Sequence, residues 1–289
     1  MIKDKLKILA LAILGEVYKL CMRTRLIRPR KLKNTCEENP KVIVSLTSYG
    51  RRVRKVHYTI ISLLRQNLEP DEIVLWLDNG NWNDSNLPSS LMSLKKYGLK
   101  IRFCRDIKSY KKLIPTLLEY PEAIIITCDD DIYYRRNMVK RLVSAYKNDS
   151  TKIYAHRAHK MTFSKGRLDK YDQWPEEVSD MEGVDVFPTS GGGTLYTKNL
   201  LYADICNEAL FSKLSPKADD VWFYFMGFMK GSKNVVLPYK GYIYIPLDVF
   251  YQTLHKGSNL ASANCGESMN DEQIRSVMSY YNINDEDLS

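Results

Sequence analysis

The chain alternates short runs of apolar, often β-branched residues with segments in which apolar residues recur at helical spacing. Four runs are typical of buried strands: Val42–Leu46, Glu72–Leu77, Leu99–Cys104 and Ala123–Cys128. Between the first two runs, Val56–Gln66 places its apolar residues on one side of a predicted helix. Because repeated strand, helix, strand units build parallel sheets, the pattern predicts an α/β fold with a mostly parallel central sheet flanked by helices.

Polar residues follow these strands at the points where the strands end. Thr47 follows the first strand, Asp78 the second, Asp106 the third and Asp129–Asp131 the fourth. In open α/β sheets ligands bind outside the carboxyl ends of the strands, so we expect these residues along one rim. A single strand-end acid is usually structural, but four converging strand ends indicate a binding site for a nucleotide.

Three consecutive carboxylates, Asp129, Asp130 and Asp131, follow directly on the apolar run Ala123–Ile126. Their repulsion is relieved when a divalent cation binds, and Mg²⁺ and Mn²⁺ combine one or two carboxylates with the phosphate oxygens of a substrate. The alternative is a solvated turn in which one acid caps the helix predicted at Arg136–Lys147. The bulky strand before the acids favours the metal site.

The pattern changes after the predicted helix at Arg136–Lys147. Ile153–His159 predicts a strand, Met161–Asp185 a polar loop beside the site, and Asn199–Phe211 a helix. Asp219–Asp220 then precedes another helical segment. Acids at a helix N-terminus are favoured by the helix dipole, so this pair has a structural explanation as well as a chemical one.

Three consecutive glycines, Gly191, Gly192 and Gly193, lie within Thr189–Tyr196. Glycine allows a backbone to approach a ligand closely. The segment lacks the GxxxxGK pattern of phosphate-binding loops, and no GxGxxG follows a predicted strand. The sequence therefore gives little support to an ATPase or a dinucleotide-binding enzyme.

The basic residues are concentrated in residues 1–34, which we call the leader. The leader contains ten Lys or Arg against two acids, so nearly all of the net charge of +9 lies there. This distribution argues against a nucleic-acid groove in the rest of the chain. The apolar run Ile8–Leu14 in the leader is far shorter than the roughly 20 residues of a membrane span.

A basic helix lying on an anionic membrane surface fits the leader best, because apolar positions and cations occur together. Two alternatives are a helix packed on the protein's own domain and a signal peptide cleaved near Ala10–Ala12. The small residues lie inside the apolar run rather than after it, which disfavours cleavage. A true span would still leave the main domain cytoplasmic under the positive-inside rule.

Length and cysteine content limit the class of protein. The chain of 289 residues allows one large or two small packed domains, and no internal repeat divides it. The six cysteines are widely spaced and include no CxxC pair. We therefore expect free thiols in a reducing compartment.

Taken together, these residues resemble the GT-A glycosyltransferases, in particular the family 2-like enzymes of bacterial capsule, O-antigen and related surface-polysaccharide pathways. The resemblance rests on the segments VSLTSYGRR, CDDDIYY, SGGGTLY and ADDVW and on the run Asp106–Pro115. It covers roughly residues 41–281. It implies a single GT-A domain there, preceded by the membrane-associating leader.

The resemblance also implies roles for individual residues. Asp129 and Asp131 correspond to the metal-binding DxD acids, and His255 to a carboxy-terminal metal ligand found in some of these enzymes. Asp220, with Asp219 beside it, corresponds to the general base, and the choice between these two is open. The residues implied for the donor are Thr47, Tyr49, Arg52, Asp78, Asp106, Lys112 and Asp130. The residues implied for the acceptor side are Gly191, Gly192, Gly193 and Trp222.

The implied reaction moves a sugar from a nucleotide-diphosphate sugar to a glycan or lipid-linked acceptor. UDP-sugars are the first candidates for the donor. A bound Mn²⁺ or Mg²⁺ stabilises the charge that develops on the diphosphate. A separate carboxylate takes the proton of the acceptor hydroxyl, which implies direct displacement with inversion. The protein is expected in the cytoplasm, peripheral at the inner face of the cell membrane, with no nucleic-acid partner.

Three other functions compete with this interpretation. A nucleotidyl or sugar-phosphate transferase also uses acids and a metal, but no glycine-rich, lysine-bearing loop follows the first strand. A non-catalytic membrane-associated scaffold is disfavoured by the intact acids at 129, 131, 219 and 220. A nucleic-acid-binding protein is supported by the leader alone.

Overall fold

A computed structural model describes residues 2–33, 40–239, 244–247 and 269–289. Helices and strands alternate through the first half of the chain. The helices are α1 (Ile2–Arg23), α2 (His57–Leu63), α3 (Ser89–Lys95), α4 (Ile114–Glu119), α5 (Met138–Asn148), α6 (Glu208–Leu214), α7 (Asp219–Lys230) and α8 (Met269–Tyr281). The strands are β1 (Val42–Thr47), β2 (Glu72–Asp78), β3 (Leu99–Cys104), β4 (Ile124–Cys128), β5 (Ile132–Tyr134), β6 (Lys152–Ala155), β7 (Ala158–Lys160), β8 (Phe163–Ser164), β9 (Arg167–Leu168), β10 (Met181–Gly183), β11 (Val186–Pro188), β12 (Thr194–Tyr196), β13 (Lys233–Val236) and β14 (Tyr244–Pro246).

Within these described ranges, eight strands form one central sheet in the order β10-β13-β6-β12-β4-β1-β2-β3. Strands β3, β2, β1 and β4 are parallel neighbours, with Val44 of β1 opposite Ile73 on one side and Ile126 on the other. Strand β12 is antiparallel to β4 and β6, and β10 is antiparallel to β13. The predicted mostly parallel α/β sheet is confirmed.

Helices cover both faces of the sheet because successive side chains of a buried strand point to opposite sides. Val44 and Leu46 of β1 pack into one hydrophobic cluster with residues of α2 and α5. Ile43 packs into a second cluster with residues of α4, α7 and α8. The two clusters hold the carboxyl ends of the parallel strands in a fixed register.

A small polar network is buried beneath the second face. Ser45 and Thr116 share a hydrogen bond of 2.7 Å between their hydroxyl oxygens, and both side chains are fully buried. The indole Nε1 of Trp76 donates to the Thr116 hydroxyl oxygen at 2.7 Å. One hydroxyl of α4 therefore satisfies polar groups on both β1 and β2.

Three sequence predictions of secondary structure are wrong. The segment Met161–Asp185, predicted as a polar loop, contains β8, β9 and the edge strand β10 of the central sheet. The helix predicted at Asn199–Phe211 is replaced by two 3₁₀ turns followed by α6. The Asn207 side chain caps α6 by accepting a hydrogen bond from the Leu210 backbone N–H at 3.3 Å, so the α-helix begins only there. The strand predicted at Ile153–His159 is interrupted after Ala155 and continues as β7 in a separate pair with β11.

One side of α1 packs on the domain, as one of the alternatives for the leader required. A Cβ at Gly15 would lie 2.3 Å from the carbonyl oxygen of Pro246, so the helix touches β14 directly. The rings of Tyr18 and Tyr133 lie 4.1 Å apart between centroids, and Met22 is buried. Among the residues with a described structure, no helix has the length and apolar content needed to cross a membrane.

We expect the Thr116→Val variant to lower the free energy of unfolding by about 1–3 kcal/mol, because valine keeps the shape but leaves Trp76 Nε1 and Ser45 without a partner. Urea unfolding followed by circular dichroism measures the change. Thr116→Ser keeps the hydroxyl and should cost only about 1 kcal/mol for the lost methyl group. Equal stability of Thr116→Val and the wild type would contradict the assigned network.

Candidate active site

The three acids of the loop between β4 and β5 do not point the same way. Asp130 turns inward and is buried, and its Oδ2 accepts a hydrogen bond from the Ser48 hydroxyl at 2.5 Å. Its backbone carbonyl accepts another from the Thr59 hydroxyl at 2.8 Å. The side chains of Asp129 and Asp131 keep exposed fractions of 36% and 19%. Asp130 therefore anchors the loop, and its two neighbours remain accessible.

Arg52 neutralises part of this acidic loop. Its Nη2 lies 2.8 Å from Asp130 Oδ1 and also contacts the Asp131 carboxylate, and its guanidinium lies 5.6 Å from the centre of the Tyr49 ring. Burial raises the pKa of Asp130 to about 7, although Arg52 opposes the rise. Burial alone would lower the pKa of Arg52, but Asp130 and Asp131 raise it overall, so Arg52 stays charged.

Lys112 connects the acidic loop to the acids of α7. It comes from the 3₁₀ helix Lys108–Lys112, and its side chain is buried. Its Nζ lies 3.2 Å from Asp129 Oδ1 and 2.8 Å from Asp219 Oδ2. Burial opposes the charge, yet Asp129, Asp219 and Asp220 hold the pKa of Lys112 well above its usual value. A charged ammonium group thus lies between the two sets of carboxylates.

Asp220, the second residue of α7, has the properties of a proton acceptor. Burial raises its pKa to about 6, while Lys112 opposes the rise. The hydroxyl of Ser190 donates to Asp220 Oδ1 at 2.7 Å. A carboxylate with a pKa near the working pH is suited to general base catalysis. Asp219 differs from it because its carboxylate is directly paired with the Lys112 ammonium.

The glycine block brings a further cation to the site. A Cβ at Gly191 would lie 3.5 Å from Arg157 Cδ and 3.7 Å from Asp129 Oδ2. A Cβ at Gly192 would lie 2.9 Å from the Arg157 backbone nitrogen, and Gly193 has a φ of +93°, which disfavours other residues. The glycines therefore permit a close approach between this loop, Arg157 and Asp129.

Sequence reasoning missed Arg157, which lies where the predicted strand is interrupted. Its Nη1 donates to the Thr189 hydroxyl at 2.9 Å, and its Nε lies 3.8 Å from Glu177 Oε1. Tyr244 Oη donates to the same Glu177 oxygen at 3.2 Å. The available signal was an arginine in the middle of an otherwise apolar and histidine-containing strand pattern.

Four predicted site residues contact groups outside the cluster of acids and cations described above. The Thr47 hydroxyl donates to the Trp76 carbonyl at 2.9 Å, and Asp78 Oδ1 accepts hydrogen bonds from Asn81 in the turn after β2. Asp106 is largely exposed and contacts the Lys111 ammonium group. Trp222 is fully buried, and its Nε1 donates to the Ile205 carbonyl at 3.0 Å, so the structure places it in the core.

The remaining predicted residues come together at the carboxyl ends of β1 and β4. They are Tyr49, Arg52, Lys112, Asp129, Asp130, Asp131, Gly191, Gly192, Gly193, Asp219 and Asp220. His255 lies outside the described residues. The site therefore combines three loop acids and two helix acids with three cations, counting Arg157.

The loop acids fit a divalent cation of the magnesium type. In the part of the chain that the structure describes, no group of three or more His, Cys, Asp or Glu residues is arranged to hold a metal ion. Two accessible carboxylates, Asp129 and Asp131, are however sufficient for Mg²⁺ or Mn²⁺, which take their other ligands from water and substrate phosphates. The inward turn of Asp130 leaves these two as the available ligands.

No protein-family model and no curated protein matches the chain. Similar solved structures include TarS 1–349 from S. aureus, 14% identical over 82% of this chain and 70% of that chain, with a TM-score of 0.48. Mannosyltransferase PcManGT from Pyrobaculum calidifontis is 12% identical over 94% and 84%, with a TM-score of 0.43. The inositol-1-phosphate CTP transferase from T. maritima is 13% identical over 81% and 95%, with a TM-score of 0.44.

Replacing Lys112 by methionine should lower the free energy of unfolding by about 3–5 kcal/mol, because it leaves buried carboxylates without their cation. Urea unfolding at pH 7.5 gives the difference from the wild type. Lys111→Met is a matched control, since the neighbouring lysine pairs with the largely exposed Asp106 instead. An equal loss of unfolding free energy in both variants would show that the Lys112 bridge between Asp129 and Asp219 contributes no more to stability than the pair of Lys111 with Asp106.

Proposed function

We propose that the protein is a metal-dependent glycosyltransferase that moves a sugar from a nucleotide-diphosphate sugar to a hydroxyl group, with inversion. The observation that supports this most is the Lys112 bridge between Asp129 and Asp219. It holds Asp129, an acid suited to a metal ion, close to the first turn of α7, where the neighbouring Asp220 is the acid suited to a base, at the rim where α/β folds bind ligands. A transferase of this kind needs both sets.

In this proposal Asp129 and Asp131 hold Mn²⁺ or Mg²⁺ against the diphosphate of the donor, for which UDP-sugars are the first candidates. When bound, the ion supplies positive charge for the diphosphate as it leaves. Arg157 and Lys112 flank Asp129 and add fixed cations on the same side. Tyr49 and Arg52 line the path to the base and ribose.

Asp220 is the proposed base, and Asp219 is its neighbour. The acceptor oxygen attacks the anomeric carbon, the bond from that carbon to the diphosphate breaks, and the electron pair leaves with the diphosphate. The acceptor proton passes to Asp220, whose carboxylate is oriented by Ser190. Asp219 is less suited, because its carboxylate is already engaged by the Lys112 ammonium group, 2.8 Å away.

We propose a glycan or lipid-linked acceptor, and surface-polysaccharide synthesis at the inner face of the cell membrane as the place of action. A nucleotidyltransferase is the alternative enzyme at such a site. The products separate the two: sugar transfer releases a nucleoside diphosphate, whereas nucleotidyl transfer from a triphosphate releases pyrophosphate. Chromatography of the nucleotide products after incubation with acceptor extract reports which reaction occurs.

Asp131→Asn should abolish the increase in donor affinity that Mn²⁺ produces, because the amide removes one anionic metal ligand. Thermal unfolding with and without Mn²⁺, over a panel of UDP-sugars and GDP-sugars, detects the donor by its stabilisation of the folded state. Asp84→Asn, in the exposed loop near Lys95, is the matched control. Unchanged metal-dependent stabilisation in Asp131→Asn would refute its role as a ligand.

Asp220→Asn should lower kcat at least about 100-fold while leaving donor affinity intact, because only the proton acceptor is lost. In the wild type, kcat should fall as the pH drops below about 6, where Asp220 becomes protonated.

Ser190→Ala provides the sharper pH measurement. It removes a hydrogen bond that stabilises the charged carboxylate, so the pKa of Asp220 should rise further and the acid limb of the rate profile should move to higher pH. Ser93→Ala, an exposed hydroxyl on α3, is the control and should leave the limb in place. A limb that does not move in Ser190→Ala would argue against Asp220 as the base.

A further inference from the structure

Helix α1 is apolar on two opposite sides, and its own domain covers just one of them. On the covered side, Ala12 and Met22 are buried, Gly15 touches the Pro246 carbonyl, and Tyr18 packs on Tyr133. This side joins the first hydrophobic cluster. Packing therefore explains the apolar residues on this side of the helix and leaves those on the opposite side unexplained.

The uncovered side carries four large apolar residues with exposed fractions near one half. They are Leu9 at 49%, Ile13 at 52%, Val17 at 47% and Leu20 at 59%. Spacings of four, four and three residues place them along one side of a helix. Leu26, just after the helix, is 78% exposed. Half of the exposed large apolar side chains in the described part of the chain lie between residues 9 and 26.

Exposed cations lie at the carboxyl end of the helix and in the segment that follows it. Arg23, Arg25, Arg28 and Arg30 are all exposed, whereas Glu16 is paired with Lys19 at 2.6 Å. A second copy of the chain would present the same cations and be repelled. The anionic leaflet of a bilayer attracts cations and accepts apolar side chains between its head groups.

We infer that Leu9, Ile13, Val17 and Leu20 form a lipid face with which the protein docks on an anionic membrane surface. The helix lies in the plane of the interface, with the arginines at its carboxyl end against lipid phosphates. The apolar side chains on the opposite side keep the domain attached. Docking of this kind requires no membrane-spanning segment and is reversible.

The lipid face is close to the candidate active site. The Leu247 backbone N–H, next to β14 on which α1 packs, donates to the Asp131 carbonyl at 2.7 Å. Lys19 of α1 lines the same hollow as Arg52 and Asp131. The metal-binding loop therefore lies about one helix diameter, on the order of 10 Å, from the docked surface. Resting on the proposed function, this places a lipid-linked acceptor within reach.

The test is co-sedimentation of the full chain with phosphatidylcholine vesicles that contain or lack phosphatidylglycerol. The wild type should bind the anionic vesicles, and bind less at high salt. Ile13→Glu combined with Leu20→Glu should reduce the bound fraction at least about tenfold, because the charges oppose insertion. Leu118→Glu, at a 65% exposed position on α4, is the matched control and should bind like the wild type.

The inference would be overturned if the double variant and the wild type bound anionic vesicles equally, or if the wild type did not bind anionic vesicles. Light scattering tests the alternative that the face binds a second copy of the chain. A wild-type dimer that becomes a monomer in the double variant would support that alternative and contradict membrane docking. Metal-dependent donor binding in solution should be unchanged in the double variant. Loss of vesicle binding with donor binding intact would therefore support the lipid face. Absence of donor binding in the wild type, with vesicle binding intact, would contradict the proposed function and not the lipid face.

Discussion

The arrangement of the site depends on the ion pairs that the buried Lys112 ammonium group makes with Asp129 and Asp219. Desolvating a cation costs several kcal/mol unless partners are held close to it. Asp129 follows β4 and Asp219 begins α7, so segments 90 residues apart must arrive together around Lys112. The two hydrophobic clusters fix those segments from opposite faces of the sheet. The packing of the core and the electrostatics of the rim therefore support one another.

Sequence reasoning predicted the sheet and most of the acidic site because both follow from local patterns. Apolar runs specify parallel strands, and parallel strands bring their carboxyl ends to one rim. It did not predict that Asp130 turns inward, because that depends on Ser48 and Thr59 from neighbouring segments. Arg157 was missed for a similar reason: its position depends on the close approach of the glycine block, which the sequence suggests without identifying its partner.

The leader illustrates why the alternatives drawn from its sequence were not exclusive. A helix with apolar residues on one side packs either on its domain or on another surface. In α1 the apolar residues occupy both sides, so packing against Pro246 and exposure of Ile13 occur in the same helix. The sequence gives the number of apolar residues in the helix. Which of them are buried and which are exposed depends on how the helix packs on the domain.

The close contact between Gly15 and Pro246 has a consequence for any shortened form of the protein. Met22 and Leu32 belong to the same hydrophobic cluster as the sheet, and the Leu32 backbone N–H donates to the Tyr97 carbonyl at 2.9 Å. A fragment that begins at Lys41 would expose the apolar surface that these residues cover. Because leader residues pack into the same cluster as the sheet, we expect the leader and the sheet to unfold together.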